Sequence, residues 1–257
     1  MPPLVPDGIC GSKTIKAIQM FQLKHFGWSG ADGLVEPDKI TIAQINVLLG
    51  GAQFPDMTPV IQNTRKWIRE CLRHLFTVGL VIDTRLVPGS FFDRATTMRL
   101  VNKHFSLDSF GNKREMLALI QSTYRTMDQV FERPGGLWGA AAFDRDPLGR
   151  GVQAYTAPAG FFRNGQFIIE DGKKLRIDAI YLTPRFANEL RDDDRRTFVV
   201  IHELAHFVGH PRFIADHAHN KQGAKIRDLR PELKVLNAET YANFAWEVVH
   251  GREAPIF

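Results

Sequence analysis

The residues with the clearest chemistry are His202-Glu203-Leu204-Ala205-His206, set inside the apolar run TFVVIHELAHFVGH. On a helix, positions i and i+4 lie on one face a turn apart, so the two imidazoles can grip one metal ion. Glu203, one residue on, is placed to reach a water on that ion rather than the ion itself. Zinc suits such a set. It acidifies water, and a neighbouring carboxylate can take the released proton and later pass it to a leaving amine. Phe198, Val199, Val200, Ile201, Leu204, Phe207 and Val208 surround the polar residues. A helix of that composition is expected to be buried, where two His and a Glu are costly unless paired or metal-bound.

A third ligand must come from elsewhere. The pattern HExxHxxGxxH is met at Gly209 but broken at Arg212, and no Met follows Met127, so the Met-turn class is excluded. His210 reads as a helix-end cation facing the dipole. Two candidates remain: Asp216, in FIADHAHN with His217 and His219, and Glu239, in LNAETYANFAWEV. A Glu on that later helix would imitate the glutamate-ligand zinc peptidases, and spacing alone does not choose between the two.

The elements that must position these residues follow from periodicity. Ser12 to Phe26 reads as an amphipathic helix broken by Gly27, Gly30 and Gly33, and a second short helix follows Pro37-Asp38. GGAQFPDMTP reads as a linker. Helices are expected over roughly 59–78, 94–105, 113–132, 184–190, 193–209 and 231–250. Between them, VQAYTA, GQFIIED and RIDAIYLT carry strand signals, with Asn164-Gly165 and Asp171-Gly172 as turn dipeptides. Arg191 to Arg196, with three Asp between, reads as a cap and solvated first turn of the helix that bears His202. Helices, a small sheet and helices again describe an α+β domain.

The order IYLTPRF, RRTFVVIHELAHFVG, Asp216-x-x-His219, NAETYANFA resembles the aspzincin metallopeptidases, the deuterolysin and lysine-specific metallo-endopeptidase group, over roughly residues 95–250. The resemblance implies a zincin-like domain with His202, His206 and Asp216 as zinc ligands and Glu203 as general base. The family's glycine-threonine lead-in is replaced by PRFIAD. Its tyrosine three residues after the aspartate is His219 here, which could donate the same hydrogen bond to an oxyanion. Tyr241 matches a family tyrosine and is a further candidate for that assistance. In lysine-specific members an acidic residue at the position of Glu239 helps receive a substrate lysine, which makes Glu239 a substrate-binding candidate. A second acid expected three residues later is Ala242.

The N-terminal stretch, PDGICGSKTIKAIQMFQ followed by GADGLVEPDKITIAQIN, resembles the helical peptidoglycan-binding domain, through Asp7, Gly8, Gly11, Thr14, Phe21 and Gln22 among others. The expected organisation is therefore a small all-α module over 1–52 and a catalytic domain over 59–257. The expected activity is that of a zinc-dependent endopeptidase acting on a protein or peptide. Two alternatives stand beside it: cleavage of peptidoglycan crosslinks, and an exported effector that binds a partner and carries zinc only structurally.

Composition fits a globular enzyme. The chain has 257 residues, 44% apolar and 24% charged, with a net charge of +5. The basic residues are scattered rather than blocked, which gives no support for nucleic-acid binding. No apolar run reaches the ~18 residues of a membrane span. The start, MPPLVPDGIC, lacks a basic n-region and an apolar h-region, so export to the periplasm or the cell exterior without a cleaved N-terminal signal is expected, with the cytoplasm as the alternative. Cys10 and Cys71 are too few for a disulfide scaffold and read as free thiols, with one disulfide between them as the alternative.

Overall fold

In the computed structural model the described residues are 11–26, 31–35, 41, 45, 55–83, 93–132, 143–146, 151–156, 167–170, 172–176, 179–209, 214–219 and 224–256. The α+β class read from the sequence is what the chain adopts: helices packed around one another, with a small sheet against the helix that carries His202.

Helix α1 (Ser12–Phe26) is followed by a turn that folds back onto it. The Gln22 side chain accepts from Gly33 N at 2.7 Å and donates to Leu34 O at 2.8 Å and Thr41 Oγ1 at 2.9 Å. Gly33 sits at φ 79, a conformation that favours glycine. The expected second helix of this module falls outside the described residues except for Thr41 and Ile45.

Helix α2 (Met57–Ile82) begins where the Asp56 carboxylate accepts from Thr58 N. Its buried stripe of Val60, Thr64, Trp67, Ile68, Cys71, Leu75 and Val78 follows three- and four-residue steps. Cys71 is a free, buried thiol; Cys10 lies outside the described residues. Asp93 caps α3 (Arg94–Phe105), and Asn112 caps α4 (Lys113–Val130).

Strand β5 (Ile180–Leu182) is the centre of a three-stranded sheet, parallel to β1 (Phe143–Arg145) and antiparallel to β2 (Ala154–Thr156). Strands β3 (Phe167–Glu170) and β4 (Lys173–Arg176) form a separate antiparallel hairpin with Gly172 at φ 72; Asp171 of the expected Asp-Gly turn lies outside the described residues. The run RIDAIYLT is thus not one strand: Arg176 closes the hairpin and Ile180 opens the central strand. Thr183 caps the short α5 (Pro184–Glu189), and Asp192 caps α6 (Asp193–Val208) by accepting from Arg195 N at 2.8 Å.

The helix expected over 231–250 is two helices. After the short α7 (Ala224–Asp228) come α8 (Pro231–Lys234) and α9 (Ala238–His250), with a break at 235–237. There the main chain turns its hydrogen bonds outward: Ala215 N donates to Leu236 O at 2.8 Å and Ala238 N donates to Ala215 O at 3.0 Å. A continuous helix would consume those groups internally.

Helix α2 packs on α4, α6 and α9; α9 also packs on α3 and α6; and β2 and β5 rest on α6. Trp67 meets Trp246 edge-on at 5.7 Å, and Phe105 meets Tyr241 and Phe244 at 5.2 and 5.4 Å. Helix α6 is therefore held from several sides, which fixes the rows of side chains it presents. Among the described residues, no helix is long and apolar enough to cross a membrane.

Candidate metal centre

One turn of α6 presents the Nε2 atoms of His202 and His206 3.2 Å apart. The loop at 214–219 brings Asp216 Oδ1 to 3.1 Å from His202 Nε2 and 3.2 Å from His206 Nε2. The three atoms form a nearly equilateral triangle. An ion bonded tetrahedrally at 2.0–2.1 Å sets its ligand atoms about 3.3 Å apart, so the triangle matches one face of a zinc tetrahedron.

The protons on the rings support the same fit. His206 Nδ1 is 2.8 Å from Ile214 O. A carbonyl cannot donate, so Nδ1 carries the hydrogen and Nε2 is left as a bare lone pair. His202 Nδ1 is 2.9 Å from Glu239 Oε2, although the approach is off the line of a well-formed hydrogen bond. Three acceptor atoms then face one another at contact distance, an arrangement that a cation relieves.

Without a cation, protons take its place. Burial opposes charge on His202, but the carboxylates of Asp216 and Glu239 raise its pKa well above the ordinary imidazole value. Part-burial likewise works against ionised Asp216, yet contact with His202 and His206 holds it far below the usual carboxylate range.

Glu203 lies on the same helix and is only 6% exposed. Burial pushes its pKa up, against the pull of His202 and His206. A carboxylate so placed is a stronger base than an exposed one.

His219 stands at the rim. Its ring stacks on that of His202, with centroids 5.5 Å apart. Its Nδ1 is 3.5 Å from Glu239 Oε2 and its Nε2 is 3.7 Å from Asp216 Oδ1. Contact with Glu239 raises its pKa. Two sets of three potential ligands occur among the described residues: His202, His206, Asp216 and, on the other edge of the His202 ring, His202, His219, Glu239. Among the described residues no four potential ligand atoms lie within 4.8 Å of one another, so His219 approaches the first triangle only on its Asp216 side.

The structure thus brings His202, Glu203, His206, Asp216, His219 and Glu239 to one place. It does not bring Tyr241 there. Tyr241 is fully buried, its hydroxyl donates to Val235 O at 3.0 Å, and its carbonyl accepts from Tyr124 OH at 2.7 Å. Burial raises its pKa, consistent with a phenol locked in an apolar core. The oxyanion role expected of Tyr241 finds no support in this placement. Glu239 is 7% exposed and turned toward two imidazoles.

Three supports of the site carry no functional signature of their own in the sequence: Ile214, which contributes only a carbonyl; Gly209, on which Ile214 packs; and Asn237. Gly209 has only its place, as the small residue after HExxHxx. Asn237 stood at the head of the NAETYANFA stretch, read only for its resemblance.

No family model matches the chain, and no curated protein does. Among solved structures the chain is similar to a zinc peptidase from Grifola frondosa, with 15% sequence identity and a TM-score of 0.46, over 74% of this chain and 92% of that one. At this level of similarity the residues of the site, and not the likeness, must bear the functional reading.

Proposed function

We propose that the chain is a zinc-dependent endopeptidase in which His202, His206 and Asp216 hold the ion and Glu203 serves as general base. The observation that supports this reading most is the triangle of His202 Nε2, His206 Nε2 and Asp216 Oδ1 with a buried carboxylate beside it; among the described residues no fourth ligand atom lies within 4.8 Å of all three. A structural zinc site is closed by four protein ligands, whereas a catalytic one keeps a position for water or substrate. Zinc bound there would supply a Lewis acid that polarises a carbonyl and makes water acidic.

The chain's own residues supply the rest. Glu203, raised by burial, accepts a proton from water and returns it to the leaving amine. His219, at the rim and about two-fifths exposed, is placed to donate a hydrogen bond to charge developing on a substrate oxygen. Glu239 stands against the far edge of the His202 ring at 2.9 Å, and Ile214 O accepts the Nδ1 hydrogen of His206. Tyr241 belongs to the packing behind the site.

The test is casein hydrolysis by purified protein with zinc, comparing wild type with Glu203→Gln. The variant should keep its zinc and lose activity by a factor of about 10² or more. Cleavage at the wild-type rate would overturn the mechanism. A parallel incubation with purified peptidoglycan separates substrates: released muropeptides with casein left intact would move the reading to wall crosslinks, the partner suggested by the likeness of residues 1–52.

A further inference from the structure

We propose that Asn237 is a positioning residue for the metal centre: its buried amide holds the main chain just past Asp216 and thereby sets that carboxylate opposite the two imidazoles. The proposal rests on the reading of Asp216 as a metal ligand and is independent of whether the site hydrolyses anything.

Asp216 has little to hold it. Its side chain is 41% exposed, and among the described residues it meets the imidazoles of the site itself. Its place must therefore come from its backbone, and the backbone is stitched on both sides. On one side, Ala215 N donates to Leu236 O and Ala215 O accepts from Ala238 N, a parallel bridge to the break before α9. On the other, Asn237 Oδ1 accepts from His217 N at 2.9 Å and from Ala218 N at 3.0 Å. Four hydrogen bonds thus bracket one residue.

The Asn237 side chain is well suited to this work. It is fully buried, so no water competes for its oxygen. Its Nδ2 donates to Thr240 Oγ1 at 3.1 Å, which fixes which end of the amide faces the loop. Asn237 precedes the first turn of α9, two residues before Glu239, so the same short stretch supports both Asp216 and His202. Removing the amide would leave two N–H groups without their acceptor, that of the buried Ala218 among them, and let the loop relax away from the imidazoles.

The test measures zinc affinity of the full chain by competition with a chromophoric chelator. Asn237→Ala should weaken zinc roughly 10- to 100-fold, the range found when supports of metal ligands are lost. Asn237→Asp, which keeps an acceptor for both N–H groups, should recover most of that loss. The rise in Tm on adding zinc should shrink in Asn237→Ala, whereas a purely structural residue would lower Tm with and without zinc alike. Zinc affinity within twofold of wild type in Asn237→Ala, while Asp216→Ala loses zinc, would overturn the proposal alone. Retention of zinc by Asp216→Ala would overturn the ligand assignment and the proposal with it. Should Asn237→Ala fail to fold, hydrogen exchange on the metal-free wild type decides: slow amides at His217 and Ala218 support the clamp, and exchange at open-chain rates overturns it.

Discussion

Gly209 and Ile214 approach so closely that a Cβ on the glycine would stand 2.8 Å from the Ile214 Cβ, Cγ1 and main-chain nitrogen. The φ of Gly209 is −68, so its backbone suits any residue, and space alone requires glycine there. Ile214 is also the residue whose carbonyl takes the His206 Nδ1 hydrogen. Gly209→Ala should therefore push the loop that carries both Ile214 and Asp216. Overpacking of this kind costs about 1–3 kcal/mol. A thermal melt should fall by several degrees, and zinc titration should show weakened binding. Unchanged affinity would mean that the loop moves without disturbing the ligands.

Tyr241 offers a clean separation between packing and catalysis. Its hydroxyl bonds to Val235 O inside the core. Tyr241→Phe should cost about 1–3 kcal/mol of stability, because a buried carbonyl loses its donor. Peptidase activity per folded molecule should stay within about twofold. A drop of a hundredfold, the scale of a lost oxyanion donor, would restore the role suggested by family resemblance.

Glu239 touches His202 Nδ1 at 2.9 Å and His219 Nδ1 at 3.5 Å. Glu239→Gln should weaken zinc about 10- to 100-fold. It should leave the preference for or against lysine next to the cleaved bond unchanged, as read from a peptide library by mass spectrometry. A selective loss of cleavage at lysine, with zinc affinity intact, would show that the carboxylate faces the substrate.

A second group of charges, away from the metal centre, ties α3 to α9. Glu247 accepts from Lys103 Nζ at 2.7 Å and from His104 Nε2 at 2.9 Å, and Lys103 also pairs with Glu253. The hydrogen bond from His104, followed by that from Lys103, holds the Glu247 pKa down at about 2. A depressed carboxylate contributes stability that is complete above its ordinary value of 4.5 and is lost as pH falls toward 2. Wild type should therefore melt higher than Glu247→Gln near pH 6, with the gap closing between pH 4.5 and 2. A gap that stays constant over that window would show that the pair is not coupled to folding.

The helix bearing His202 and His206 was legible because its signals are local: an Asp cap, a three-to-four apolar period and a glycine at the end. The α+β class was legible for the same reason. The break at 235–237 was not, since it exists only because Ala215, twenty residues earlier, offers a partner for Leu236 and Ala238. Distance in sequence also hid the difference between Asp216 and Glu239. Both are acids beyond the helix, and only the fold sends one to the Nε2 edge of His202 and the other to the Nδ1 edge. Tyr241 sits in the packing behind the site, with its hydroxyl on Val235 O. Its neighbours Ala242, Phe244 and Ala245 mark a helix face turned to the core, and that local evidence outweighs the matching motif.

Most directly, the account is tested by crystals of the zinc-loaded protein, measured on both sides of the zinc absorption edge. One anomalous peak is expected about 2.0–2.2 Å from His202 Nε2, His206 Nε2 and an Asp216 oxygen, with the remaining position on the ion taken by solvent. An ion seated on the other edge of the ring, between His202 Nδ1, His219 and Glu239, would contradict the assignment. So would a fourth protein side chain closing the ion off from solvent.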